Sequence, residues 1–296
     1  MLKLSTMAAA CKFLVMLLLV LEGVLGGNIL IIHPLYAASH EMILRSFGEH
    51  MITRGHSVTM LKFQNAKNPQ VADSNITVIE LKIKTEAADC SNFVTPEGKF
   101  DIGLNLAERF WTSSGNLDIV SVDFINLVWC HCDSLFSDKE LFQHLQKQHF
   151  DAAIVDLHFN LCGVALAKAL DLPVASFWMC NFAAGETLYT PMVSMPSIAP
   201  GAYSGISPVM GFWERVQNTV YKVAHHLLVG LTGRMSQSIV SKHFPNLKPI
   251  WELVHDIDIH LVVPNHLTTS PQSTIPNVFH IGGPHLRDGG AIPEVS

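Results

Sequence analysis

Short apolar segments alternate with helical stretches along most of this chain. NILIIH at 28–33 and DAAIVD at 151–156 each predict a buried strand, and Ser39 to Arg54 has helical periodicity with Gly55 as its stop. Further strands are predicted at 57–63, 76–83, 173–178, 259–263 and 277–281. Strands that are apolar throughout and separated by helices are typical of a parallel sheet covered on both faces. We therefore expect an α/β fold.

Three other segments have helical periodicity. They run from about Asp101 to Gln148, from Gly163 to Leu170, and through GFWERVQNTVYKVAHHLLVGLTGRM. The last segment carries an apolar stripe at helical spacing, formed by Trp213, Val216, Val220, Val223, Leu227 and Leu231. We expect this stripe to pack on the sheet, with a ligand cleft or a membrane surface as alternatives. The Pro-, Ser- and Gly-rich stretch at 184–208 predicts a long loop.

The amino terminus has the layout of a secretory signal. Lys3 and Lys12 flank the start of the apolar run FLVMLLLVL, and small residues follow up to Gly26. The run is shorter than the ~20 residues that span a bilayer. We expect residues 1–26 to be a signal peptide that is cleaved, and we identify no stop-transfer segment that would anchor the chain afterwards. Asn75, in the sequon Asn-Ile-Thr, is then the expected glycosylation site.

Composition excludes several classes of protein. The chain is 49% hydrophobic and 15% charged, so it can bury a large core, and its net charge of −6 gives no basic surface for nucleic acid. The five cysteines beyond the signal predict no disulfide scaffold, although a secretory compartment permits a bond. Cys130-His131-Cys132 lacks the spacing of a zinc site, and we expect no metal.

Two residues at predicted strand ends suggest acid–base chemistry. Ligands of open parallel sheets bind outside the carboxyl ends of the strands. His40 begins the helix after the first strand, and Asp156 ends the strand DAAIVD. If the two strands are neighbours, the carboxylate can accept from one ring nitrogen and leave the other as a base. The alternative is that both are ordinary polar residues that cap helices.

Other chemical motifs are absent, and the aromatic residues allow two interpretations. The sequence contains no GxSxG elbow, no GxxxxGK[ST] loop and no GxGxxG fingerprint. Four aromatic residues lie near the proposed edge of the sheet: Phe110, Trp111, Phe177 and Trp178. Core packing is the favoured interpretation for each, and a hydrophobic binding pocket is the alternative.

Several short motifs, in order from about Gly27 to the end, resemble the UDP-glycosyltransferases of the UDP-glucuronosyltransferase type. The segment ILIIHPLYAASH, followed by the helix ending in RGHSVTML, is similar to the amino-terminal start of that family. The later resemblances are CDSLFSDKELFQHL, FDAAIVD with the following CG and ALDLPVASF, FWERVQN, and IPNVFHIGGPHL. Motifs that keep their order over the chain are far more specific than any one of them.

The resemblance implies a fold and a reaction. It implies a GT-B enzyme with two Rossmann-like domains, of which residues 27–283 form the amino-terminal, acceptor-binding one. His40 matches the family's base and Asp156 its partner, and Ser39 is a further expected substrate contact beside the four aromatic residues. The implied reaction transfers a hexosyl or glucuronosyl group, with inversion, from UDP-sugar to a small lipophilic acceptor hydroxyl. UDP-sugar is a co-substrate, and no cofactor is expected.

The family's donor domain is expected to begin where this sequence stops. Residues 284–296 read as the start of an interdomain linker, and the UDP-sugar signature and carboxyl-terminal membrane helix are absent. We therefore expect a fragment that is inactive alone, located in the lumen of the endoplasmic reticulum, whose full-length form is anchored in the membrane. Oligomers with family members are an expected partnership. The alternative function is a non-catalytic half-protein, lumenal or secreted, that binds lipophilic ligands or a partner.

Overall fold

Seven parallel strands form one sheet within the part of the chain that the computed structural model describes. That part comprises residues 26–33, 38–64, 75–82, 122–158, 160–179, 195–201, 204–264 and 274–286. The strands are β1 (Asn28–His33), β2 (Ser57–Phe63), β3 (Thr77–Leu81), β4 (Ala152–Asp156), β5 (Val174–Trp178), β6 (Ile259–Val262) and β7 (Val278–His280). Their order across the sheet is β3-β2-β1-β4-β5-β6-β7, and every neighbouring pair is parallel. The predicted α/β fold with a Rossmann-like parallel sheet is confirmed.

Helices cover both faces of this sheet. They are α1 (Ala38–Thr53), α2 (Val122–Ser137), α3 (Lys139–Lys147), α4 (Leu161–Ala169), α5 (Phe212–His243) and α6 (Ile250–His255). On one face α1 buries Leu44 against Ile31 and Met60. On the other face α2 to α6 bury a larger cluster that includes Leu30 and Val155. Successive residues of a strand point to opposite faces, so strands buried on both sides must be apolar throughout.

Most element boundaries fall within two residues of those predicted from the sequence. Gly55 ends α1 with a φ of +91°, a conformation that glycine adopts without steric cost. The long predicted helix is α2 followed by α3, and residues 101–121 lie outside the described residues. The break falls at Asp138, whose Oδ1 accepts from the Leu141 amide at 2.9 Å and caps α3.

The prediction that the apolar stripe of α5 packs on the sheet is wrong. Trp213, Val220 and Leu227 are 77%, 65% and 64% exposed. The inward face of the same helix is largely polar, and its buried residues include Asn218. The Asn218 amide accepts from the Gly201 N–H at 2.8 Å and donates to the carbonyls of Pro196 at 2.7 Å and Ala199 at 2.9 Å. These three bonds orient the first half of the helix, because a buried side-chain amide requires such partners.

Two long-range links hold the elements around β1 and β4. A disulfide joins Cys132 of α2 to Cys162 of α4, with the Cα atoms 5.5 Å apart. The sequence predicted no disulfide scaffold but allowed for a bond. On the opposite face, Ser46 of α1 donates its hydroxyl to the carbonyl of Pro284 at 2.8 Å. The segment that follows β7 is thereby attached to α1.

Within the described ranges, no helix combines the length and the apolar character needed to cross a membrane. Of the predicted signal segment, residues 1–26, all but Gly26 lie outside those ranges.

Candidate active site

The last residues of β1 and β4 lie side by side at the point where the strand order reverses. From β1 the chain builds outward through β2 and β3, and from β4 it builds the other way through β5, β6 and β7. In open α/β sheets this switch point leaves a crevice at the carboxyl ends of the strands, where ligands bind. β1 ends at His33 and β4 ends at Asp156. The adjacency that the sequence hypothesis required is present.

Two histidines contact a single carboxylate oxygen there. His40 Nδ1 lies 2.8 Å from Asp156 Oδ2, and His33 Nδ1 lies 2.9 Å from the same atom. Asp156 and His33 are 3% and 1% exposed. The His40 side chain is 13% exposed and is therefore the imidazole of the pair that solvent reaches. The rings of His33 and His40 are 6.2 Å apart and nearly parallel.

The carboxylate fixes the proton positions on both rings. Burial acts to raise the pKa of Asp156, but the positive charge of His40 and the hydrogen bonds from both histidines outweigh it, so the pKa lies well below its usual range. An ionised carboxylate only accepts hydrogen bonds, so each Nδ1 carries the proton that it donates. When neutral, His40 then has its lone pair on Nε2, the atom that can take a proton.

The turn after β4 is held by Asn160. Its Oδ1 accepts from the Gly163 amide at 2.8 Å as the N-cap of α4, and its Nδ2 donates to the Asp156 carbonyl at 2.9 Å. One side chain therefore joins the end of the strand to the start of the helix. The ring of His158, in the same turn, lies 5.7 Å from that of His40.

A buried ion-pair network fixes the first turn of α1. Glu41 Oε1 accepts from Lys62 Nζ at 2.7 Å and from Arg45 at 2.8 Å. Burial acts to raise the pKa of Glu41, and these two cations outweigh it, so the net shift is downward. Lys62 is also the register partner of His33 in the sheet and lies 3.5 Å from Glu80. Because Glu41 follows His40, this network holds the helix end that carries the imidazole.

The other predicted site residues have different environments. Ser39 is exposed beside His40 at the start of α1. Phe177 and Trp178 are fully buried on opposite faces of the sheet: the Phe177 ring lies 5.1 Å from that of Phe47, and Trp178 donates to Ser176. Both thus occupy core positions, the favoured interpretation from the sequence. Phe110 and Trp111 lie outside the described residues, and Asn75 is exposed just before β3.

His33 is a site residue that the sequence reasoning missed. The available signal was its position, since it ends an apolar strand as Asp156 does. Among the described residues, no group of three or more His, Cys, Asp or Glu side chains is arranged to hold a metal ion.

The fold and the geometry define a class of protein: a Rossmann-like α/β domain with a histidine–carboxylate pair at the switch point of its sheet. The family model described as UDP-glucoronosyl and UDP-glucosyl transferase matches residues 27–294, and this chain belongs to that family.

Relatives match the chain over most of its length. Human UDP-glucuronosyltransferase 1A8 is 26% identical over 268 residues, which cover 86% of this chain and 47% of the relative. Mouse UDP-glucuronosyltransferase 1A9 is 26% identical over 274 residues, with coverages of 90% and 49%. The chain therefore spans about half the length of these curated relatives. Among solved structures, Phytolacca americana UGT2 complexed with UDP-2fluoro-glucose and pterostilbene aligns with 90% of this chain and 56% of that one, at 14% identity and a TM-score of 0.46.

Proposed function

We propose that this chain is the acceptor-binding half of a GT-B UDP-glycosyltransferase, with His40 as the catalytic base and Asp156 as its partner. One observation carries the proposal: the 2.8 Å contact between His40 Nδ1 and Asp156 Oδ2 at the switch point, in a chain of the UDP-sugar transferase family. Family membership supports the reaction class, and the contact supports the choice of these two residues for the proton transfer.

In the proposed reaction, His40 Nε2 removes the proton from a hydroxyl of a small lipophilic acceptor. The acceptor oxygen attacks the anomeric carbon of the sugar from the face opposite UDP. The bond between that carbon and the UDP oxygen breaks, and UDP leaves with the bonding pair, so the configuration inverts. Asp156 keeps the lone pair of His40 on Nε2 and stabilises the imidazolium that forms. The ion pairs of Glu41 hold the helix end from which His40 extends.

In this proposal the UDP-sugar binds to a second domain, across a cleft from His40, and acts as co-substrate. The relatives named above are about twice as long as this chain, which leaves room for such a domain. We therefore expect the 296-residue chain alone to bind acceptors but to give no turnover with any UDP-sugar. Measurable transfer by the purified chain would contradict this division of labour.

The test uses a protein that contains this sequence together with a carboxyl-terminal donor domain. A panel of phenols and aliphatic alcohols is offered with UDP-glucose and UDP-glucuronic acid, and UDP release is measured for the parent and for His40→Ala. We expect the variant to lose turnover by on the order of 10³-fold. Acceptor binding, followed by fluorescence quenching, should remain within about twofold because the apolar contacts are unchanged. A near-normal turnover of His40→Ala would refute the proposal, and acceptor binding without turnover in the parent would favour a non-catalytic lipophile-binding protein.

We also propose that the chain enters the secretory pathway and resides in the lumen of the endoplasmic reticulum. The layout of residues 1–26 and the exposed sequon at Asn75 support this location. Expression in secretory cells should give a glycosylated product, and glycosidase treatment should increase its mobility on a gel. Asn75→Gln should abolish that shift, and a parent protein without glycan would contradict the proposal.

A further inference from the structure

We propose that His33 is a positioning residue for the His40–Asp156 pair, and that its Nδ1–H holds the Asp156 carboxylate in the rotamer that presents Oδ2 to His40. The inference rests on the proposed function, in which His40 is the base. It adds a third member to the site, one that contacts neither the acceptor nor the sugar.

The two hydrogen bonds to the Asp156 carboxylate both fall on one oxygen. His33 Nδ1 at 2.9 Å and His40 Nδ1 at 2.8 Å both lie on Oδ2. Asp156 Oδ1 is buried and has no hydrogen-bond partner among the described residues. A partial rotation of the carboxyl group about its Cβ–Cγ bond would therefore take Oδ2 away from both donors at once, and Oδ1 has no bond that would offset the loss. A second donor makes that rotation more costly, so it restrains the geometry on which the tautomer of His40 depends.

The two donors belong to different kinds of secondary structure, His33 to a strand and His40 to a helix. His33 is the last residue of β1, which is hydrogen-bonded on one side to β2 and on the other to β4. Its ring is therefore fixed to the same sheet as Asp156. His40 extends from α1, packed on the face of that sheet. The bond from His33 can thus fix the carboxylate independently of the position of α1.

The burial of His33 excludes a direct role. At 1% exposure its ring cannot reach a substrate, and its Nε2 is buried without a hydrogen-bond partner among the described residues. The charged and titratable groups beside it are Asp156 on β4, its register partner Lys62 on β2, and His40 on α1. Lys62 in turn pairs with Glu41 of α1. Among the described residues, only Asp156 is hydrogen-bonded to the His33 ring, so any effect of His33 on His40 acts through the carboxylate.

The test compares three substitutions of His33. His33→Phe keeps the ring and removes the donor. His33→Asn keeps an N–H at about the position of Nδ1, whereas His33→Gln moves the N–H outward to about the position of Nε2. The first readout is the tautomer of His40, measured by ¹⁵N NMR of the imidazole nitrogens in the 296-residue chain. The second is kcat and KM in a protein with both domains.

We expect His33→Phe to reduce the preference of His40 for a proton on Nδ1 and to lower kcat by about tenfold or more at unchanged KM. His33→Asn should restore both values, and His33→Gln should not. If His33→Phe fails to fold, the comparison of His33→Asn with His33→Gln decides the matter alone. Equal behaviour of Asn and Gln, or a wild-type tautomer and rate in His33→Phe, would overturn the inference.

The base assignment can fail separately. If His40→Ala retains normal turnover, the proposed function is lost, whereas the NMR comparison still reports whether His33 governs the tautomer of His40. A wild-type tautomer in His33→Phe combined with inactive His40→Ala would remove only the role of His33.

Discussion

Ser176 and His260 form a 2.6 Å hydrogen bond between neighbouring strands, β5 and β6, in the buried layer of the sheet. Trp178 Nε1 donates to the same Ser176 Oγ at 2.9 Å, which leaves the hydroxyl proton available to a neutral imidazole. Burial lowers the pKa of His260 to about 4. The two side chains lie on the face of the sheet opposite α1, the helix that carries His40, so we expect the pair to affect stability and not chemistry.

Acid should destabilise the chain through His260. In the unfolded chain a histidine has its ordinary pKa of ~6.5, so between about pH 6.5 and pH 4 the unfolded state binds more protons than the folded state. The contribution is fully present above that window and is lost as the pH falls through it, by on the order of 3 kcal/mol. Urea denaturation at pH 4, 5, 6 and 7 measures the slope.

His260→Asn should flatten this slope, because its side-chain oxygen can still accept from Ser176 but does not titrate. His255→Asn, at an exposed position of α6, is the matched control for the substitution itself. Asp156 contributes in a different window: its lowered pKa makes its stabilisation present above about pH 4 and lost below it. An unaltered slope in His260→Asn between pH 4 and 6.5 would contradict the assignment to His260.

Asp156→Asn should reduce transfer less than His40→Ala does, but still severely. The amide retains a side chain of the same size beside His40, whereas the charge that stabilises the imidazolium is gone. We expect a loss on the order of 10² in kcat, against about 10³ for the base itself. Steady-state kinetics of the two-domain protein gives both numbers. A loss in Asp156→Asn greater than that in His40→Ala would indicate that the carboxylate has a further role.

Two glycines of α5 should respond in opposite ways to alanine. A Cβ at Gly233 would collide with the Trp251 indole of α6, whereas a Cβ at Gly230 would meet nothing within 4 Å. We expect Gly233→Ala to destabilise the chain by about 1–3 kcal/mol. Gly230→Ala should stabilise it by about 0.5–1 kcal/mol, because alanine has the better helix propensity. Thermal denaturation of the two variants tests the α5–α6 contact, and a stable Gly233→Ala variant would argue against it.

The two faces of α5 should also differ in their tolerance of polar residues. Val220→Gln lies on the exposed stripe and should change the free energy of unfolding by less than about 0.5 kcal/mol. Val229→Gln, in the same helix but fully buried, should lower the free energy of unfolding by about 3 kcal/mol or more. Its amide would be buried without a hydrogen-bond partner. Equal costs at the two positions would mean that the stripe is covered.

Asn218→Ala should destabilise the chain by about 2–4 kcal/mol, because it leaves three backbone groups of the 196–201 segment without their partner. The neighbouring exposed residue offers the control, and Gln217→Ala should have little effect. Chemical denaturation measures both. A small loss in Asn218→Ala would show that these groups find other partners.

The apolar strands were predictable because burial on both faces leaves a continuous sequence pattern, and parallel pairing follows from the helices between them. The contact between His40 and Asp156 could be predicted only on the condition that β1 and β4 are neighbours in the sheet. The two residues are 116 positions apart, and no local sequence signal shows which strands pair. His33 had a positional signal, as the last residue of an apolar strand, but its partner lies on β4, which is distant in sequence. Periodicity revealed the stripe of α5 but not its direction, which depends on the bonds of Asn218.

The bond between Ser46 and Pro284 has a mechanical consequence. Ser46 lies two turns along α1, the helix that begins beside His40. The bond therefore attaches the segment after β7 to the helix that carries the imidazole. A displacement of residues 284–286 would therefore act on α1 through this bond. In the proposed two-domain enzyme, a shift of this segment and a shift of the proposed base, His40, would therefore be coupled.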